Sequence, residues 1–330
     1  MKAKGTLLLR RKEIAELLSL DECIAAVEQA FRLHAEGKSP PGILGVPAAG
    51  GGFHIKAAAL KLGRSYFAVK TNGNFFQNQQ RFGMPNIQGI VLLSDGENGY
   101  PLALMDSIEI TILRTGAATA VAAKHLARPD ATVATICGCG NQGRVQLRAL
   151  ARVRRLERVH AYDIDPEQAE QFAGELSDEL GIAVRAVREL PEAVRQSDIC
   201  VTCTPSGSFF LEREDVAPGT FIAAVGADSP EKQELDPALV ASSKIIVDIL
   251  EQCATIGELH HALGKGLLTR ADVHAELGEV VAGRKSGRTS HEEVILFDST
   301  GTALQDAAAA AVVYEKAVRA GRGITLNFAE

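Results

Sequence analysis

"TVATICGCGNQGRVQLRALARV", residues 132–153, decides the reading of the fold. A short apolar run leads into Gly138-Cys139-Gly140-Asn141-Gln142-Gly143, a G-x-G-x-x-G turn, and the turn opens directly into a helical pattern. Glycine is common in this chain, 31 of 330 residues, so the motif counts only through its setting between a strand and a helix. In that setting the first glycine permits a tight turn, the second lets backbone approach a pyrophosphate, and the third lets helix and strand pack closely. Backbone N–H groups and the helix dipole would hold the anion. Further along, RVHAYD ends in Asp163, the expected place for an acid that binds the adenosine ribose diol and repels a 2′-phosphate. This favours NAD over NADP. The plain alternative, a βα turn with Asp163 as a strand-end cap, explains less, because strand, turn, helix and acid are all in register.

Working outward, the chain after Pro129 alternates strand-like and helical segments. TVATICG, a helix near 143–153, RVHAYD, a helix near 166–180, AVRAV, DICVTCT, FIAAVG and KIIVDI follow in turn, which predicts a doubly wound parallel sheet. Ligands bind outside the carboxyl ends of such strands. Thr204 and Pro205 in CTPS, and Val225 and Gly226 in VGAD, are therefore expected along the cofactor, with Asp228 at its nicotinamide end.

Before this domain, residues 21–36 read as a helix after an Asp21 cap, ended by Gly37, and SPPGILGVPAAGGG (39–52) as extended or loop-like. FHIKAAAL, RSYFAVKTN and GIVLLSD read as strands. DSIEITILRTGAATAVAAKHLA (106–127) opens with an Asp-x-x-Glu capping box and continues without proline, a helix expected to link two domains. The alanine-rich TALQDAAAAAVVYEKAVRAG (302–321) is a helix expected to return to the first domain.

Alternation in YFAVKTN places Tyr66, Ala68 and Lys70 on one face, and in FHIKAAAL it places Lys56 with His54 and Ala58. Arg114 lies mid-helix among Ile110, Ala117, Ala118 and Val121 at i±3 and i±4. Cations on such faces need an anion. Two partners stay open for Lys70 and Arg114: a structural salt bridge or, favoured here, the carboxylate of a small-molecule substrate. For Lys56 alone the two stand even.

The net charge of −6, with no basic run, gives no footprint for nucleic acid or an anionic membrane. The N-terminal stretch has too short an apolar segment for a signal peptide, so a cytoplasmic location is expected. Cys137 with Cys139 and Cys200 with Cys203 sit in apolar strand-like runs, where cysteine acts as a small buried hydrophobe, so no metal site is expected.

VKTNGN, SIEITILRTGAATAVAAKHLA, ICGCGNQG, VGADSPEKQEL and FDSTGTALQDAAAA, in this order across nearly the whole chain, resemble the ornithine cyclodeaminase and mu-crystallin family. The resemblance implies a Rossmann domain, 119–303, inserted in a smaller α+β substrate-binding and dimerisation domain, 1–118, which the helix of 304–330 rejoins. It implies a homodimer. It implies Lys70 and Arg114 on a substrate carboxylate, Asp228 acting at the substrate nitrogen, and Thr115, the glycine turn, Asp163 and Ser299 along NAD. One departure is that SPPGILGVPAAGGG lacks an arginine that many relatives carry, and Lys56-Ala57 stands where cyclodeaminases usually have Met-Pro. Lys56 is expected to replace that arginine. The implied activity is NAD-dependent interconversion of an α-amino acid with its imino acid, 2-oxo acid or cyclic imine. Alternatives are an NAD-dependent ornithine cyclodeaminase and, from another class, a non-catalytic ligand carrier like mu-crystallin.

Overall fold

A computed structural model describes residues 5–37 and 41–328. Residues 1–4 of the N-terminal stretch, and Ser39 and Pro40 of the extended segment, lie outside the described residues. The chain divides into two compact units. One is built from residues up to 114 together with those from 302 onward, and the other is the continuous segment 115–301.

The first unit is built on a seven-stranded sheet. Its order is Ile324–Leu326, Thr6–Leu9, Pro101–Asp106, Ile87–Asp95, Arg64–Asn74, Gly51–Leu62 and Gly42–Ala48. Alternation sets its two faces. Lys56, Ala58 and Leu60, then Tyr66, Ala68, Lys70 and Asn72, point inward and are buried. On the other face Leu44, Val46, Phe53, Phe67 and Ile90 are exposed. The helices Leu20–Ala35 and Ala303–Ala320 pack together within this unit, the latter also against the strands Gly51–Leu62 and Arg64–Asn74. Ala307, Ala308, Ala309 and Ala310 are wholly buried on that helix, since only small side chains let its backbone come this close to its neighbours.

One local reading changes and two become more specific. The helix Leu20–Ala35 is capped by Ser19, not Asp21. The Ser19 hydroxyl accepts the Glu22 N–H while the Glu22 carboxylate takes the Ser19 N–H, a reciprocal box that also neutralises two first-turn donors. The segment 42–48 is a full edge strand, antiparallel to Gly51–Leu62. Asp106 is the last residue of the strand Pro101–Asp106, and its carboxylate accepts the Ile108 N–H at 2.9 Å as the helix Ile108–Leu126 begins.

The second unit carries an eight-stranded sheet in which every neighbouring pair is parallel. Its order is Ala275–Glu276, Lys244–Val247, Ile295–Asp298, Phe221–Ala224, Ile199–Thr202, Val133–Cys137, Arg158–Tyr162 and Ala183–Ala186. From Val133–Cys137 the chain adds two strands on one side, then crosses to Ile199–Thr202 on the other. Order therefore reverses between Val133–Cys137 and Ile199–Thr202, and the crevice for a ligand in an open α/β sheet lies at that reversal. Among the described residues no helix is long and apolar enough to cross a membrane.

Candidate active site

The glycine turn lies at the crevice, and each glycine has its own reason to lack a side chain. Gly138 has φ +100°, a region unfavourable to other residues, and its N–H is held by the Tyr162 carbonyl at 2.8 Å. Gly140 is the N-cap of the helix Asn141–Val153, and a Cβ built there meets nothing within 4 Å. Its backbone is open to a ligand. A Cβ on Gly143 would fall onto the Gly138 carbonyl oxygen, so this glycine lets the first helical turn close over the loop. Asn141 is exposed and Gln142 half-buried at the start of the same helix.

Asp163 follows the strand Arg158–Tyr162, and its Oδ2 accepts the Cys139 N–H at 2.7 Å and the Gln168 amide at 2.9 Å. The acid is thereby fixed against the turn. Open backbone at Gly140, a helix N-terminus and an acid beside them suit a dinucleotide whose pyrophosphate meets the turn and whose ribose meets Asp163. At the neighbouring strand ends, Thr204 donates its N–H and hydroxyl to the Glu234 carboxylate, Pro205 is exposed, and the Val225 N–H bonds the Thr202 carbonyl at 2.8 Å. Gly226 also donates to Glu234, at 2.9 Å. Ser299 is buried, with its hydroxyl 3.4 Å from Asp248 Oδ2. Asp228, two residues past Gly226, is half-exposed and ion-paired with Lys232 at 2.7 Å. All six cysteines are free thiols. Burial pushes the Cys139 thiol up to about 12, which leaves it protonated at neutral pH.

In the first unit Lys70 and Arg114 converge on one carboxylate that the sequence reading had left without a role, Asp306. Lys70 Nζ lies 2.8 Å from it and Arg114 Nε 3.2 Å, while Arg114 Nη1 donates to Gln305 Oε1 at 2.9 Å. All four side chains are buried, Asp306 to within 1% of its surface. Of the two partners left open for these cations, the structural salt bridge is thus present. Lys56 stands directly across from Lys70 in the strand register, also buried. Thr115, next to Arg114 on the helix Ile108–Leu126, is buried as well.

The electrostatics follow from this packing. Burial drives the Lys70 ammonium down, Asp306 pulls it back up, and the charges of Arg114 and Lys56 lower it again, leaving it at about 7. Burial raises Asp306, but the charges of Lys70 and Arg114 outweigh that and hold it below the usual carboxylate range. Arg114 Nε and Asp306 Oδ2 are engaged in these ion pairs, Oδ2 lying 2.8 Å from Lys70 Nζ, whereas Gln305 Nε2 is buried with no hydrogen-bond partner among the described residues. A buried donor of this kind costs about 1–3 kcal/mol when left unsatisfied, so Gln305 Nε2 gains from a small polar ligand. Asp306 and Gln305 stand out in the sequence as the polar pair in the first turn of a helix whose buried side is mostly alanine, but nothing local tells which residues they meet.

A reversal in an all-parallel sheet, with an open glycine turn and an adjacent acid, defines the dinucleotide-binding doubly wound class. Comparison with known proteins narrows it. The family model for the ornithine cyclodeaminase/mu-crystallin family matches residues 4–321. The chain is 42% identical over 325 residues to an alanine dehydrogenase of Archaeoglobus fulgidus, covering 98% of each. Among solved structures, an archaeal alanine dehydrogenase dimer with bound NAD superimposes with a TM-score of 0.94 at 42% identity, over 98% of this chain and 99% of that one. The Thermococcus litoralis Δ1-pyrroline-2-carboxylate reductase, in complex with NADH and L-proline, gives a TM-score of 0.90 at 36% identity, over 97% and 100% of the two chains. The chain belongs to the ornithine cyclodeaminase/mu-crystallin family.

Proposed function

We propose that this protein is an NAD(H)-dependent oxidoreductase that interconverts an α-amino acid with its imino acid, 2-oxo acid or cyclic imine. The observation that carries this reading is the buried cluster of Lys70, Arg114, Asp306 and Gln305, two cations on one carboxylate with the Gln305 amide nitrogen still without a partner, in a chain whose other unit holds the dinucleotide turn. The first unit is the substrate-binding part and the second the cofactor-binding part. The relatives named above act on amino and imino acids. Asp163 favours NAD over NADP.

NAD supplies the hydride chemistry when bound. Arg114 and Lys70 bind the substrate carboxylate and so fix the orientation of the α-carbon, a restriction that can be worth several kcal/mol of barrier. Asp306 and Gln305 hold Arg114 from behind. Lys56 adds positive charge on the Lys70 face in place of the missing arginine. Lys70, at about 7, can hold or release a proton near neutral pH. Asp228 exchanges the proton of the substrate amine or iminium and stabilises the developing positive charge.

The protein acts as a homodimer joined through the exposed apolar face of the seven-stranded sheet, a reading supported by the dimeric alanine dehydrogenase neighbour. Six free thiols suit a reducing, cytoplasmic setting. The site assignment is tested with Arg114→Met. Loss of a charged hydrogen bond should raise the KM for an oxo or imino acid about ten- to a hundredfold while leaving NADH binding intact. An unchanged KM would remove Arg114 from the carboxylate site.

A further inference from the structure

Glu234 is wholly buried, and its charge has a use that cofactor contacts do not explain. It lies on the short strand Gln233–Leu235, which runs parallel to Gly207–Leu211. Its Oε1 accepts the Thr204 N–H at 2.6 Å and the Thr204 hydroxyl at 2.8 Å. Its Oε2 accepts the Thr202 hydroxyl at 2.7 Å and the Gly226 N–H at 2.9 Å. One carboxylate therefore ties the loop after the strand Ile199–Thr202 to the loop after Phe221–Ala224. A Cβ on Gly226 would come to 2.4 Å from the Thr204 carbonyl oxygen and 2.5 Å from the Glu234 carboxyl carbon, so glycine is what lets the two loops and this carboxyl group close together. Glu234 is itself fixed from below, because its N–H and that of Leu235 donate to the Glu258 carboxylate at 2.7 and 3.2 Å.

The position of these loops gives the tie its meaning. In the sheet order, the ribose acid Asp163 follows the strand Arg158–Tyr162, on one side of the glycine turn after Val133–Cys137. The strands Ile199–Thr202 and Phe221–Ala224 lie on the other side. A dinucleotide with its pyrophosphate at the turn and its adenosine ribose at Asp163 must extend its other half over the ends of those two strands. We propose that Glu234 is a positioning residue for the nicotinamide half of the cofactor, a buried clamp that holds the Thr204 and Gly226 loops at the spacing this half requires. The inference rests on the dinucleotide reading of the crevice. The same clamp anchors the backbone from which Asp228 projects, two residues beyond Gly226.

A carboxylate can serve two fixed backbone donors at once and an amide cannot. In Glu234→Gln, the new NH2 must face either the Thr204 or the Gly226 N–H, and neither can turn to accept. One loop is released while volume is preserved. The test is fluorescence titration of the full-length protein with NADH and, by displacement, with ADP-ribose, which lacks the nicotinamide. Loss of one such bond should weaken NADH binding about tenfold, leave ADP-ribose affinity within about twofold, and speed amide exchange at Thr204 or Gly226 but not at Cys139. Equal weakening of both ligands would assign Glu234 a general structural role and overturn the proposal, as would unchanged NADH affinity. If Glu234→Gln does not fold, Thr202→Val removes one arm of the clamp from a stable strand and should give the same selective loss to a smaller degree; equal effects on both ligands there would overturn it too. Failure of the unaltered protein to bind NADH would instead refute the underlying dinucleotide reading.

Discussion

A lysine sealed between two strands can reduce the cost of its burial by losing its proton or by keeping a carboxylate close, and Lys70 sits between these limits. With its ammonium at about 7 and Asp306 2.8 Å away, small changes in charge decide its state. In the reductive direction the protonated form is the useful one, both as a ligand for the substrate carboxylate and as a proton source. The kcat/KM for reduction should therefore fall as pH rises through about 7. A bound substrate carboxylate raises Lys70, so the corresponding limb in kcat should lie at higher pH. A kcat/KM profile that stays level across that range would show that Lys70 does not titrate in the free enzyme. Lys70 and Arg114 were legible as buried cations from periodicity alone. Their partner was not, because Asp306 comes from a helix nearly two hundred residues from Arg114 in sequence, and no local pattern joins the two.

The glycine turn is the element on which the cofactor reading depends, and its glycines are not equivalent. Gly140→Ala places a methyl group in open space at the helix N-terminus, so the protein should fold with an unchanged melting temperature while NADH binding weakens. Gly143→Ala drives a Cβ into the Gly138 carbonyl oxygen, so both the melting temperature and NADH binding should fall. Thermal melts and NADH titrations of the two variants separate these outcomes, and equal loss of stability in both would contradict the assignment. This turn was readable because its requirements are local: a φ of +100° and a backbone-to-backbone approach demand glycine whatever surrounds them. The sheet of the first unit was less so. Pro101–Asp106 is six residues with little alternation, stabilised by pairing in parallel with Thr6–Leu9 from the other end of the sequence segment, a contact that periodicity does not encode. The Ser19 cap was missed for a different reason, since Asp21 and Ser19 are both competent caps and only the reciprocal bond with Glu22 chooses between them.

At the scale of the whole molecule, the proposed dimer accounts for an apolar sheet face that a monomer would leave in water. Leu44→Glu combined with Ile90→Glu places two charges on that face, and light scattering should then report a monomer in place of a dimer. A dimer of unaltered stability would move the interface elsewhere. The fold class was legible in the sequence because strand and helix alternate regularly after Pro129; the reaction was less so, because reductases and cyclodeaminases use the same hydride chemistry on the same class of substrate. The most direct measurement follows absorbance of the nicotinamide and release of ammonia together. The purified protein is given amino acids with NAD, then 2-oxo acids with ammonium or methylamine, or cyclic imines, with NADH. Net oxidation of NADH in at least one reductive reaction, with reduction of NAD by the matching amino acid, is the expected result. Ammonia released from ornithine or lysine without net change in NADH, or NADH bound with no turnover of any substrate, would contradict the assignment as an amino acid or imine oxidoreductase.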